Sequence, residues 1–465
     1  VKRLILALAL GAVALAAILG YASNRREQRY RSLIEQGDTA LTRGENLAAV
    51  EAFTVAIALK PGSMLGYLKR GEAYRQSGEL ETALKDLRTA SQLDPSATRP
   101  LELLGDVEHA LERDDRAIAR YTQYVRIDDR SPRVLYKLAV ANYSAGNTDG
   151  AVEALRAALK IDDRLAHAHY LLGLCLQSQR KPDKARTAFH RAIELAPTLF
   201  PAREALAELH HRASRGEDRI FQLESLRLLD PTSPARYVSL GLAHADAGQF
   251  DRAVVVLSRT AETFPTHTYT YVALGRVWLE VSQARRDPVA LQKAIEALER
   301  AAGTEQSSEA LTLLGKALLL ADQPDRAVAT LTEAIGRKPT DPLAFAYLAD
   351  AAERTGNPGA ALGALLDYEA LEGDPKEPRR RAQFFSRIAD LSLRTGNAAD
   401  AVEWFERAMA ADADTVSAGI LVRFAEAQSQ TGNVAAARAS VTRALALEPG
   451  NRGARVLLRR LPQNK

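Results

Sequence analysis

The chain has a single cysteine, Cys175, in 465 residues. That excludes a disulfide framework and a thiolate metal site, and it leaves the redox compartment open. Aromatic residues make up only 6% of the chain, while 46% is apolar and rich in Ala and Leu. Neither sign of charge dominates: 62 basic residues face 58 acidic ones, a net charge of +4, so no strong field for nucleic acid or anionic lipid follows. Glycine-rich phosphate loops, a dinucleotide fingerprint after a strand and a nucleophile elbow are all missing. No cofactor, metal or catalytic machinery is therefore implied.

What the chain does have is a ladder of small residues. Gly37, Gly71, Gly105, Ala139, Gly173, Ala207, Gly241 and Gly275 recur every 34 residues, and the ladder resumes at Gly315, Ala349, Ala389 and Ala425. A second ladder follows twelve residues behind at Ala49, Ala83, Ala117, Ala151 and Ala185, breaks at Arg219, and continues at Ala253, Ala327, Ala361, Ala401 and Ala437. A period of this length with paired small residues is the signature of stacked helix-turn-helix units. It overrides the length prior of several globular domains, because a solenoid grows without enlarging one core. Two helices whose small residues face one another are expected to pack backbone against backbone, with Leu and aromatic neighbours filling the edges.

Each unit has a rhythm. In the second, Gly71 and Tyr74 lie on the first helix (helix A), Gly78 in the turn, Ala83 and Ala90 on the second (helix B), and Pro95 at the boundary. Gly ends a helix in the left-handed conformation and Pro cannot continue one. Acids open helix B at Glu81, Asp149, Asp183, Asp251 and Asp325, where negative charge favours a helix N-terminus. The pattern resembles the tetratricopeptide repeat family, with its aromatic at position four, Leu-Gly at seven and eight, and Ala, aromatic, Ala, Pro at 20, 24, 27 and 32. The resemblance implies an all-α, right-handed superhelical solenoid of about twelve units over residues 30–451, with a concave groove that takes protein or peptide partners.

The departures mark boundaries. Units one to six are read over 30–233 and seven to twelve over 234–451, with Arg219 and Leu226 making the sixth a joint. Insertions fall near 282–288 and 376–381, and 452–465 reads as a capping helix and tail, with Val456, Leu457 and Leu461 inward. Ahead of the array, residues 1–3 form a basic stub, and 4–24 carry no charge and are nearly all apolar, long enough for a transmembrane anchor. A signal peptide is the rival reading, given small-x-small at Gly20-Tyr21-Ala22. The expected placement is the bacterial inner membrane, single-pass, with the array on the periplasmic side; the cytoplasmic side and secretion after cleavage stay open.

The groove implied by the resemblance is lined by helix A positions two, five, nine and twelve. In the third to fifth units these include Arg99, Glu102, Asp106, His109, Arg133, Tyr136, Val140, Tyr143, His167, Tyr170, Leu174 and Gln177. Of these, Arg99, His109, Arg133, Tyr136, Tyr143, His167, Tyr170 and Gln177 are the candidate partner-binding residues, an arginine-and-tyrosine combination favoured at hot spots. The same face of the seventh unit is apolar, with Ala235, Val238, Leu242 and Ala245. The carboxylate clamp of some family members is not matched by Ile34, Asp38, Lys69, Arg99 and Leu103, of which only Arg99 fits by charge. The function expected is a non-catalytic, membrane-anchored scaffold for an envelope complex. Two alternatives stand beside it: a component of polysaccharide or cell-wall assembly, and an enzyme or metal site built on His210, His211 and His244.

Overall fold

A computed structural model describes residues 2–304 and 307–462, with the side chains of 2–9, 13, 14 and 304 outside that description. Among the described residues the regular structure is entirely helical: twelve A/B hairpins followed by a last helix, Arg452–Arg460. The chain forms two compact units, Val1–Gln222 and Leu223–Lys465, and the division falls inside helix B of the sixth hairpin, Gly216–Leu229.

The small-residue ladder has a more specific partner than the second ladder. A Cβ placed on Gly37, Gly105 or Gly173 would run into the ring of Phe53, Tyr121 or Phe189, sixteen residues on in helix B of the same hairpin. On Gly71 it would lie 2.8 Å from Leu87 Cγ and on Gly241 2.5 Å from Leu257 Cγ. The missing side chain at position eight is thus a socket for the large side chain at position 24. Phe53, Leu87, Tyr121, Phe189 and Leu257 are at most 2% exposed. Each contributes about 1.5–3 kcal/mol by leaving water.

Every hairpin turns through one residue with left-handed backbone. In seven it is a glycine: Gly44, Gly78, Gly146, Gly248, Gly356, Gly396 and Gly432. In the other five it is Glu112, Arg180, Ser214, Arg286 or Asp322, at φ between 52° and 58°. The third, fifth, sixth, eighth and ninth hairpins therefore hold an L side chain where glycine would be unstrained. The first insertion is absorbed by helix A of the eighth hairpin, Thr268–Arg285, which is 18 residues long. The second enters helix A of the eleventh, Pro378–Arg394, with Arg380 on Glu377 at 3.0 Å and Arg381 Nε donating to the Pro375 carbonyl at 2.8 Å.

The two ends differ from expectation. Residues 4–24 are not a separate segment: a continuous helix, Lys2–Thr42, carries them into helix A of the first hairpin. Arg25 to Arg29 contain no Pro or Gly, so nothing stops the helix there. Among the described residues no helix is long and apolar enough to cross a membrane. This overturns the expected transmembrane anchor and the single-pass inner-membrane placement. At the other end Val456 is 47% exposed, not inward, and Ala454 and Leu461 are the buried residues. Arg438 holds this end by donating to the Leu461 and Pro462 carbonyls, both at 3.0 Å.

Gly241→Val is expected to cost about 1–3 kcal/mol by overpacking against Leu257. Hydrogen exchange should then show faster amides in Pro234–Asp246 and Phe250–Thr263 than in distant hairpins. Arg180→Gly should do the reverse, raising stability by roughly 0.5–1 kcal/mol as the left-handed turn loses its Cβ strain. Urea unfolding of the two variants beside the parent checks both signs.

Candidate functional site

Within the first unit, each helix A packs on the helix A of the next hairpin, from Lys2–Thr42 through Met64–Gln76, Thr98–Ala110 and Pro132–Ser144 to Ala166–Ser178. This creates one continuous inner face. Its first half is stitched by ion pairs between neighbouring repeats. Lys69 reaches Asp38 at 2.8 Å and Arg99 reaches Glu72 at 2.8 Å. Glu102 receives three cations: Arg99 at 3.0 Å, Arg133 at 2.5 Å and Lys137 at 2.7 Å. Lys137 also donates to both oxygens of Asp106 at 2.7 Å, and the Tyr121 hydroxyl donates to Asp106 at 2.7 Å.

Glu102 is 1% exposed, and its electrostatics follow from this crowd. Burial pushes its carboxyl up, but Lys137, Arg133 and Arg99 together pull harder, and the group is held below the usual carboxylate range. The spacing follows from the repeat: a 34-residue period brings most of these acids and bases together within about three residues of one repeat, with Arg99 and Glu72, 27 apart, the shorter exception. The same stitching recurs in the second unit, where Arg387 Nη2 meets Asp350 at 2.6 Å and its Nε meets Glu353 at 2.7 Å. Arg423 Nε donates to Asp390 at 2.6 Å. Acid–base pairs at this spacing were visible in the residue order, yet positions read one hairpin at a time do not reveal them.

The candidate residues accordingly separate into two groups. Arg99 and Arg133 are committed to Glu102, and His109 Nδ1 lies 2.5 Å from Asp114 Oδ1. The tyrosines form the other group. Tyr136 and Tyr170 are half-buried and Tyr143 is 36% exposed. Burial raises the Tyr170 hydroxyl first, and the nearby Tyr143, Glu204 and Tyr136 raise it further, so the three phenols share one environment. The Tyr170 ring packs on Phe189 with centroids 6.1 Å apart. His167 is exposed and Gln177 half-buried on the same helix. In the seventh hairpin Val238 and Ala245 are buried in the core, which explains the apolar character of that face.

The histidines are occupied within their own hairpins. His210 is 4% exposed and lies 3.7 Å from Asp218; burial lowers its pKa despite that carboxylate. His211 Nδ1 is 3.0 Å from Arg219, and His244 Nδ1 is 2.8 Å from the Gln249 amide oxygen. Among the described residues no group of three or more His, Cys, Asp and Glu side chains is placed to hold a metal. Cys175 is buried, and burial pushes its thiol up to about 11, away from the thiolate a nucleophile requires.

The family model for the tetratricopeptide repeat matches residues 68–132, 103–166, 136–200, 288–342 and 312–378, a little under half of the chain. Residues 68–200 and 288–378 thus carry tetratricopeptide repeats. The small glutamine-rich tetratricopeptide repeat-containing protein 2 of Mycosarcoma maydis is 30% identical over 93 residues, 20% of this chain and 26% of that one. The array therefore spans about a quarter of the length of that curated relative. Among solved structures, YrrB, described as a tetratricopeptide protein with an unusual peptide-binding site, is 22% identical over 40% of this chain and 97% of its own, at a TM-score of 0.36. The Cut9–Hcn1 heterotetramer of the APC/C matches 94% of the chain and 96% of its own at 12% identity, also with a TM-score of 0.36.

Replacing Glu102 by Gln should leave Arg99, Arg133 and Lys137 facing a neutral amide and cost about 1–3 kcal/mol at pH 7. Because the folded pKa of Glu102 lies below its unfolded value, its contribution is whole above the unfolded ~4.3 and is lost as pH falls through the lower folded value. The stability gap between parent and Glu102→Gln should therefore close in acid and be flat above pH 6, as urea titrations across pH will read.

Proposed function

We propose that the chain is an interaction scaffold that holds a partner polypeptide along the helix A face of its third to fifth hairpins. Tetratricopeptide repeats bind protein or peptide partners, and the reading extends that role to a particular stretch. The observation that carries it is the contrast along the inner face. Between Asp38 and Lys137 most of the charged side chains on this face pair with one another, whereas the hydroxyls of Tyr136, Tyr143 and Tyr170 make no hydrogen bond among the described residues and the rings are amphipathic. Half-buried tyrosines lose little entropy on binding and offer both area and a hydrogen-bonding tip. A single fixed patch of this kind suits an anchor, with the surrounding ion pairs supplying a rigid frame. The role is binding without chemistry of its own, with protein or peptide, and not nucleic acid, as partner.

Tyr136→Ala combined with Tyr170→Ala is expected to weaken partner binding by about 2 kcal/mol or more, close to thirtyfold. Circular dichroism should stay that of the parent. Calorimetry with peptides selected on the purified chain provides the measurement, and an unaltered affinity would move the interface elsewhere.

A further inference from the structure

One cation on this face stands apart among the described residues. The side chain of Arg75, in helix A of the second hairpin, Met64–Gln76, makes no hydrogen bond or ion pair there, and its Nε is buried with no acceptor. It lines a cavity of about 410 Å³ together with Asp106, His109, Tyr121, Tyr136 and Lys137. The acid in that cavity is already saturated. Asp106 accepts from Lys137 through both oxygens and from the Tyr121 hydroxyl. His109 is engaged by Asp114.

The neighbouring acids are already engaged: Glu72 by Arg99, Glu102 by Arg133 and Lys137, and Asp106 by Lys137. None of them meets the Arg75 side chain. A buried guanidinium N–H without an acceptor is an unfavourable arrangement in a finished interior, and it is relieved when an anion arrives from outside. The planar fork of arginine matches a carboxylate through two parallel hydrogen bonds. A single unpaired fork takes a single carboxylate. Tyr136 belongs both to this cavity and to the tyrosine patch, so the carboxylate is carried on the same segment that the tyrosines hold.

We propose that the Arg75 cavity takes one Asp or Glu side chain of the partner segment, making Arg75 the residue that selects acidic partners. This rests on the binding role proposed above. The test uses peptides of about twelve residues selected from a random display library on the purified full chain, resynthesised with amidated C-termini. Each is paired with a counterpart in which a single Asp or Glu becomes Asn or Gln. The parent chain should bind one acidic peptide of each pair about tenfold or more tightly, and Arg75→Ala should reduce that ratio to about twofold or less, with Arg75→Lys in between. Arg75→Ala breaks no described hydrogen bond, and its circular dichroism and melting should match the parent.

Equal affinity for acidic and neutral counterparts, or a preference that survives Arg75→Ala, overturns the assignment. So does a preference that appears only with a free C-terminal carboxylate, which would place a chain terminus in the cavity instead. In each of these cases, sensitivity of the peptides to Tyr136→Ala with Tyr170→Ala leaves the binding role standing. Failure of any peptide to bind the parent chain removes both readings.

Discussion

The closest constraint in this molecule is the distance between two backbones within one hairpin. Helix B carries a ring, a leucine or, in the last hairpin, Val441 at position 24, and that side chain packs against the main chain of helix A because position eight offers no Cβ or only a methyl. The contact is dispersion and burial, summed over many atoms, and it is lost if the socket is filled. Where the socket is an alanine, as at Ala389 beneath Phe405 or Ala349 beneath Leu365, both partners are again fully or almost fully buried. Each hairpin thus carries its own small core, and stacking extends that core to its neighbours.

Electrostatics follow from that packing. Once the hairpins stack at a fixed repeat, helix A side chains one period apart face each other at hydrogen-bonding distance. Acids and bases there neutralise one another, as Glu102 does with three cations and Arg387 with two carboxylates. Burying such groups brings little net stability, since desolvation opposes the Coulomb gain. What they provide is register, because a slip of one residue leaves several charges unpaired. The tyrosine patch then stands out by contrast, as the portion of the face where the side chains are not all answered from within.

The fold was legible because its determinants are local and periodic. A small residue at one rung and a large one sixteen positions later report the same contact in most hairpins, so Gly37 with Phe53 and Gly173 with Phe189 repeat one statement, while the longer eighth hairpin sets Gly275 against Leu298. The pairing of the inner face was less legible. Arg99 and Arg133 read as free recognition residues because a single-hairpin alignment hides the carboxylate one repeat away. Arg75 was passed over for a related reason, since an unpaired charge is recognised only after all the others have been paired. The apolar run at 4–24 misled differently: its composition suggested an independent segment, whereas helix formers from Arg25 onward join it to the first hairpin.

The left-handed turn residues divide the array into easy and reluctant bends. In the first unit the two leading hairpins reverse direction at Gly44 and Gly78, and in the second unit the last three do so at Gly356, Gly396 and Gly432. Between these stand hairpins that bend at Glu112, Arg180, Ser214, Arg286 and Asp322, interleaved with glycine turns at Gly146 and Gly248. In a nearest-neighbour array, order spreads outward from the self-sufficient members and reaches the dependent ones by coupling. Glu112 thus stands between Gly78 and Gly146, and Arg286 with Asp322 between Gly248 and Gly356, so within each unit the strained reversals are templated by freely turning neighbours.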